Sequence, residues 1–223
     1  MKASSTMGSS IWSSLADGSI RPEGLVAQVV ARPAHLPEIF AGLDQPKARV
    51  KFGCAKVLLL ASESSPKAML PYWEQLKERL GDDNKILQWS AMLTLANLAP
   101  NASLPRVEAL LPRLLAPIQG PVMITAANAM RSATRFAMAH PSLAREVCQK
   151  ILGTEKGEYQ TAECRNVVLG HALQALDKLM PLLKDKAPVV ELAQRQLGNS
   201  RPATRKRAET FLKKHNSAKR LPS

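Results

Sequence analysis

Histidine and cysteine are two residue types that could bind a metal ion or act as a nucleophile, acid or base. The sequence contains His35, His140, His171, His215, Cys54, Cys148 and Cys164. The histidines are far apart in the chain and no Cys-x-x-Cys pair occurs, so neither type has the spacing of a metal or redox site. The cysteines lie within helical apolar patterns, where a reduced thiol packs as a small apolar group. We therefore expect no metal ion, no cofactor and no catalytic residue set. A catalytic function stays open, since residues distant in sequence can meet in a fold.

Polar side chains at steps of three and four residues are the feature best suited to binding a partner. This spacing places side chains on one face of a helix. The rows are Ser90, Thr94 and Asn97; Asn128, Arg131 and Arg135; and His171, Gln174 and Lys178, with Lys51 as the start of the series. A solvated helix face would give the same pattern, because any surface helix has a polar side. If the rows line up, they form a polar and cationic track that a ligand could contact.

The sequence is strongly basic, and its excess charge is uneven along the chain. It contains 31 Lys and Arg against 18 Asp and Glu, a formal net charge of +13. Residues 200–223 hold eight of these cations and a single acidic residue, Glu209. The contact candidates in this region are Arg201, Arg205, Lys206, Arg207, Lys213 and Lys214. The cluster fits three interpretations: a polar end cap on a last repeat, a contact surface for an acidic partner or nucleic acid, and a nuclear localisation signal.

The elements that must position these side chains are helices in an internal repeat. Apolar residues make up 45% of the chain and aromatic residues only 4%, a composition that favours helices over sheets. Five turn-like segments begin at residues 44, 82, 119, 160 and 200, close to the spacing of roughly 40 residues in two-helix repeats. The predicted first helices are 36–43, 67–80, 104–118, 142–152 and 189–197, and the predicted second helices are 48–61, 86–99, 123–139, 162–180 and 203–215. A shorter hairpin, 11–16 with 22–31, precedes them. Since a lone hairpin cannot bury both its faces, neighbouring hairpins must stack around a shared core.

The turn at residues 44–49, Asp-Gln-Pro-Lys-Ala-Arg, resembles the turn of the HEAT/armadillo-type helical repeat family. HEAT turns commonly carry an Asp and, five residues later, an Arg, here Asp44 and Arg49; Leu87 and Ile124 stand in the Arg position of two other units. The resemblance covers about residues 35–215. It implies an all-α, right-handed α-solenoid of five to six HEAT-like helical hairpins. The second helices, which carry the polar rows, would line its concave side.

Two activities found among HEAT-like proteins are not indicated by the residues present. HEAT-type metal-dependent hydroxylases use adjacent His-Glu pairs as iron ligands, and this sequence contains no such step. HEAT-like alkylpurine DNA glycosylases use a Trp and an Asp one helical turn apart, whereas neither Trp73 nor Trp89 is followed by an Asp at that distance. Pro71 lies inside a predicted first helix, and we expect its kink to expose Tyr72 or Trp73 on the convex side.

Two functions fit these features. The leading hypothesis is a non-catalytic scaffold or adaptor that binds a protein partner, through an acidic segment, on its concave face. The alternative is a nucleic-acid-binding protein with a DNA-repair-type role that uses the same basic groove. The two differ in the partner that the cations attract.

The domain organisation and location follow from composition along the chain. We expect a flexible N-terminus at 1–10, a single HEAT-like repeat domain at 11–216 and a flexible basic tail at 217–223. No apolar run approaches the roughly 20 residues of a membrane span. No apolar stretch follows the N-terminus as it would in a signal peptide. We therefore expect a cytoplasmic protein without a membrane partner, whose oligomeric state the sequence does not define.

Overall fold

The computed structural model describes residues 11–217, and the regular secondary structure in this range is helical. The predicted N-terminal segment 1–10 and residues 218–223 of the predicted basic tail lie outside the described residues. The chain divides into two compact units between Asn101 and Ala102, whereas the sequence predicts a single repeat domain at 11–216. Each unit is built from helical hairpins, and the fold class is the all-α solenoid that the repeat predicts. Among the described helices, none has both the length and the apolar character required to cross a lipid bilayer.

Unit 1 contains the predicted short hairpin and the first two repeats. Its helices are α1 (Ser13–Asp17), α2 (Pro22–Ala31), α3 (Leu36–Gly42), α4 (Ala48–Ser64), α5 (Pro66–Met69), α6 (Trp73–Glu78) and α7 (Lys85–Leu98). Helix α4 is central, because α1, α2, α3 and α7 all pack against it. Its buried side includes Val50, Val57 and Leu58. Asn84 caps α7 by accepting hydrogen bonds from the backbone amides of Ile86 and Leu87.

The predicted first helix 67–80 is interrupted in the structure. Helix α5 ends at Met69, a 3₁₀ turn spans Leu70–Tyr72, and α6 begins at Trp73. Pro71 accounts for the break, since it has no amide hydrogen to continue the helical hydrogen bonds. The expected exposure of an aromatic residue here is wrong. Trp73 is 1% exposed, and Tyr72 is half-buried with its ring stacked on Phe40 at a centroid distance of 4.9 Å.

Unit 2 contains three further hairpins. Its helices are α8 (Leu104–Leu115), α9 (Met123–Ala139), α10 (Ala144–Leu152), α11 (Ala162–Leu179), α12 (Ala187–Arg195) and α13 (Pro202–Ser217). The second helices lie side by side, with α11 packed between α9 and α13. The first helices α10 and α12 contact each other and their own second helices. Short 3₁₀ turns follow α8, α10 and α12; α8 and α12 end earlier than the predicted segments, whereas α10 ends at residue 152 as predicted.

Polar contacts join successive hairpins within each unit. In unit 1, Asp44 Oδ2 accepts a hydrogen bond of 2.6 Å from Arg79 Nη2. Asp44 therefore pairs with the next hairpin and not with Arg49, whose guanidinium lies beside Gly18. In unit 2, Glu155 accepts hydrogen bonds from Arg195, the shortest of them 2.7 Å, and Gln119 Oε1 accepts one of 2.9 Å from Lys150 Nζ. Each contact joins the turn between the two helices of one hairpin to the first helix of the next hairpin or to the 3₁₀ turn that follows it.

Candidate binding surface on the second helices of unit 2

Most of the positive charge on the helices of unit 2 lies on its second helices. Helices α9, α11 and α13 contain nine Lys and Arg and three Asp and Glu, whereas α8, α10 and α12 contain five and three. Helix α9 contains no acidic residue. The side of unit 2 formed by the second helices is therefore the more cationic one.

A groove of about 200 Å³ lies between α9 and α11. It is lined by Ala127, Met130, Arg131, Thr134, Arg135, Met138, His171, Gln174, Ala175 and Lys178. This set includes the predicted pair from α9 and the predicted row from α11. Two helix faces separated by some 40 residues in sequence thus meet, because α9 packs directly against α11. Asn128, the remaining predicted residue of this row, is half-buried on α9 and does not line the groove.

A second groove, of about 400 Å³, lies between α11 and α13. It is lined by Leu173, Gln174, Asp177, Ala203, Lys206, Arg207, Thr210, Phe211 and Lys214. Gln174 is common to both grooves, which places them on the two sides of α11. We call the surface formed by Arg131, Arg135, His171, Gln174, Lys178, Lys206, Arg207 and Lys214 the basic face. The basic face combines residues of the predicted rows on α9 and α11 with Lys206, Arg207 and Lys214 of the C-terminal cluster.

Close contact between α11 and α13 brings Arg207 onto the basic face. Thr204 Oγ1 donates a hydrogen bond of 2.7 Å to the carbonyl oxygen of Asn166. A Cβ atom on Gly170 would lie 2.6 Å from Arg207 Nη1 and 2.9 Å from Thr204 Oγ1. Gly170 therefore gives α13 the room to pack here. Sequence reasoning missed this residue, although an isolated glycine inside a helical pattern is a recognisable sign of close packing.

Other cations of the C-terminal cluster have partners within unit 2. Arg201 pairs with Glu163, and Arg205 Nη1 donates hydrogen bonds to the carbonyl oxygens of Asn199 and Ser200. These interactions fix the turn that begins α13. By contrast, no ion pair within residues 11–217 involves the basic-face residues Arg131, Lys178, Lys206 and Arg207. Lys213, also predicted as a contact, is exposed on α13 and does not line either groove.

Asp177 binds the end of α13 to α11. Its carboxylate accepts hydrogen bonds of 2.9 Å from Lys214 Nζ and lies 2.6 Å from His215 Nε2. Burial alone would raise the pKa of Asp177, but Lys214 and His215 outweigh it and hold that pKa below its ordinary 3.8. This carboxylate therefore stays charged at neutral pH and neutralises part of the charge at one end of the basic face.

Comparison with known proteins gives the fold but no family. No family model matches the sequence, and no curated protein matches it either. The chain is similar in structure to two engineered proteins from the Northeast Structural Genomics Consortium. The first has a TM-score of 0.56 and 14% identity, covering 95% of this chain and 93% of that one. The second has a TM-score of 0.52 and 15% identity, covering 93% and 90%. A designed armadillo repeat protein has a TM-score of 0.52 and 12% identity, covering 92% and 90%.

The fold is that of a helical repeat protein. At these identities the similarity carries no information about what this chain binds.

His171 shows that cations from three elements converge on α11. Burial lowers the pKa of His171 from its ordinary 6.5, and the positive charges of Arg207, Arg131 and Arg201 lower it further. A hydrogen bond with Gln174 acts in the opposite direction. At neutral pH the ring is therefore uncharged, and the surrounding guanidinium groups carry the positive charge of the face.

The predicted polar row of unit 1 has a different environment. Thr94 is 0% exposed and is not a contact residue, which corrects the prediction. Ser90 donates a hydrogen bond of 3.1 Å to the carbonyl oxygen of Ala55, and Asn97 Nδ2 donates one of 2.8 Å to Ser62 Oγ. These side chains of α7 face α4, because α4 packs over this side of α7. The row joins two helices instead of lining a surface.

The remaining candidates for chemistry are scattered or buried. Lys51 is half-buried and its charge acts on Asp44 of the same unit. Burial raises the pKa of Cys54 to about 12 and that of Cys148 to about 11, so both thiols are protonated at neutral pH. Across the part of the chain that the structure describes, no group of three His, Cys, Asp or Glu side chains has an arrangement that could hold a metal ion.

Proposed function

We propose that this protein is a non-catalytic scaffold that holds an acidic segment of a partner protein on the basic face of unit 2. The observation that carries the proposal is the pair of adjacent grooves that share Gln174 and are both lined by cations. Within the described residues of unit 2, no carboxylate forms an ion pair with Arg131, Lys178, Lys206 or Arg207. An acidic segment would supply carboxylates to these four side chains. Complementary charge of this kind gives orientation and fast association.

Features of the aromatic side chains favour a protein over nucleic acid. Proteins that bind single strands without sequence preference stack bases on exposed aromatic rings. All nine aromatic residues of this chain lie in the described range, and each is buried or half-buried. Phe211, which lines the second groove, is only 3% exposed, and the other apolar side chains of the two grooves are aliphatic or methionine. No feature of the described residues specifically favours the repair-type alternative. Competition between DNA and an acidic peptide distinguishes the two partners.

The type of repeat and the compartment belong to the same proposal. We infer HEAT-type units, supported by the two α-helices in each repeat of unit 2, since armadillo units have three. We infer a reducing, cytoplasmic location, supported by the three free cysteines, two of which are buried.

The test measures binding of the full chain to a fluorescently labelled peptide rich in Asp and Glu, by fluorescence anisotropy. The double variant Arg131→Glu/Arg135→Glu is expected to weaken binding at least about tenfold. Each change replaces the attraction of an Arg to a peptide carboxylate, worth under about 1 kcal/mol, with the repulsion of a Glu from it. The two changes together therefore weaken binding.

A matched control changes the net charge equally on the first helices. Arg113 on α8 and Arg145 on α10 are both exposed, and Arg113→Glu/Arg145→Glu is expected to keep most of the affinity. An equal loss in both double variants would show attraction by net charge alone and would contradict a site on the basic face. A single-stranded DNA of the same charge that displaces the peptide more effectively than unlabelled peptide would overturn the protein partner in favour of nucleic acid.

A further inference from the structure

The first groove combines cations with an apolar floor. Met130, Ala127 and Ala175 lie between the cationic side chains of α9 and α11. Met138, the next-to-last residue of α9, lines the same groove and is 49% exposed. A half-exposed methionine offers a flexible and polarisable surface that adapts to an aliphatic or aromatic side chain.

The second groove repeats this combination on the other side of α11. Its apolar residues are Ala203, which is exposed, and Leu173 and Phe211, which are buried. Its cations are Lys206, Arg207 and Lys214. The carboxylate of Asp177 is already held by Lys214 and His215, so it presents little free negative charge to a ligand. Both grooves therefore offer the same two kinds of contact.

We propose that the partner of the basic face is an amphipathic acidic segment, whose apolar side chains enter the two grooves while neighbouring carboxylates pair with the surrounding cations. This rests on the proposed function and adds the chemistry of the segment. Acidic residues alone would leave the exposed apolar side chains of the grooves, Met138 and Ala203, in contact with water. Apolar residues alone would remove water from the cations without giving them a partner, which is costly.

The distance between the grooves sets the spacing of the apolar residues. The grooves lie on opposite sides of α11, and neighbouring packed helices are about 8–10 Å apart. An extended chain advances about 3.3 Å per residue, so a segment that crosses α11 spans this distance in about three residues. The expected pattern is two apolar residues about three positions apart, with Asp or Glu on both sides of each.

The experiment compares two labelled peptides of equal length and charge on the full chain. The mixed peptide carries two Leu in this pattern among Glu residues, and the second peptide has Ser in place of each Leu. The mixed peptide is expected to bind at least about tenfold more tightly, because only it buries apolar surface in the grooves.

Two variants of α9 locate the apolar contact. Met138→Ser is expected to weaken binding of the mixed peptide without affecting the Ser peptide. Ile124→Ser is the control, because Ile124 is 44% exposed on the same helix but lies outside both grooves. Circular dichroism of both variants confirms that the helices are intact.

The outcomes separate this inference from the proposed function. If the Ser peptide binds the unmodified protein as tightly as the mixed peptide, the amphipathic segment is excluded while an acidic partner still stands. If Met138→Ser and Ile124→Ser weaken the mixed peptide equally, the first groove is not the apolar site and the inference is again overturned. If neither acidic peptide binds, the proposed function fails as well.

Discussion

At the residue scale, His171 is a side chain whose charge is controlled by its neighbours. The groups that act on it are Arg131 from α9, Arg207 from α13, Arg201 from the turn before α13, and Gln174 on its own helix. Burial and the three arginines all disfavour the imidazolium form. The folded protein therefore binds a proton at His171 only at a pH below 6.5, its ordinary pKa.

The sign of the resulting pH effect follows from the unfolded chain. In the unfolded protein, residue 171 takes up its proton near pH 6.5, while the folded protein still keeps the ring neutral. The unfolded state is therefore favoured as the pH falls through this value, and the free energy of unfolding decreases. Urea denaturation of the protein and of His171→Gln, from about pH 7.5 to about pH 5.5, measures the effect. The decrease is expected to be smaller in the variant, and equal decreases would show that His171 is not responsible.

The sequence did not predict which polar side chains of a helix face are exposed. Residues spaced three and four apart do share a helix face, as the groove lined by Arg131 and Arg135 confirms geometrically. The same spacing at Ser90, Thr94 and Asn97 marks a face that α4 covers. Periodicity identifies a common face but not the neighbour that packs on it, because that neighbour comes from a separate part of the chain.

At the scale of elements, the second helices were predicted closely and the first helices less so. The predicted helix 123–139 has the bounds of α9, and the other second helices differ from prediction by at most three residues at an end. Their boundaries depend on local signals, namely turn residues and apolar periodicity. Pro71 interrupts one predicted first helix, and 3₁₀ turns follow α6, α8, α10 and α12, details which local patterns do not resolve. Contacts such as Asp44 with Arg79 join residues 35 positions apart and were not predictable.

The packing of α13 on α11 can be tested at Gly170. Gly170→Ala places a Cβ against Arg207 and Thr204, so α13 must shift or lose the hydrogen bond to Asn166. We expect a net loss of about 1 kcal/mol in the free energy of unfolding, since overpacking costs about 1–3 kcal/mol and exceeds the gain in helix propensity. Urea denaturation measures the change.

A second helical glycine gives the matched control. Gly24 lies exposed in α2, where an added Cβ would meet only Ile20 at an ordinary 3.7 Å. Gly24→Ala is therefore expected to raise the stability by up to about 1 kcal/mol through helix propensity alone. If Gly170→Ala were as stabilising as Gly24→Ala, α13 would not pack against α11 as closely as the structure shows.

At the scale of the whole molecule, charge is divided unequally between the two units. Unit 2 carries 20 of the 31 Lys and Arg and nine of the 18 Asp and Glu, a net charge of +11, against +2 for unit 1. Repulsion among like charges destabilises a compact state. The excess charge is therefore expected to lower the stability of unit 2, a cost that attraction of a partner would explain.

The imbalance predicts that salt acts differently on the two units. Raising NaCl from about 50 mM to about 300 mM shortens the screening length and weakens repulsion between exposed charges. Because cations outnumber anions about two to one in unit 2 and are nearly balanced in unit 1, the added salt should stabilise mainly unit 2.

Hydrogen exchange followed by mass spectrometry reports protection for each helix separately. Exchange in α9, α11 and α13 is expected to slow more than exchange in α4 and α7, which serve as the internal control. An equal change in both sets would mean that the excess charge of unit 2 imposes no cost on its fold, and the functional explanation for that charge would lose its basis.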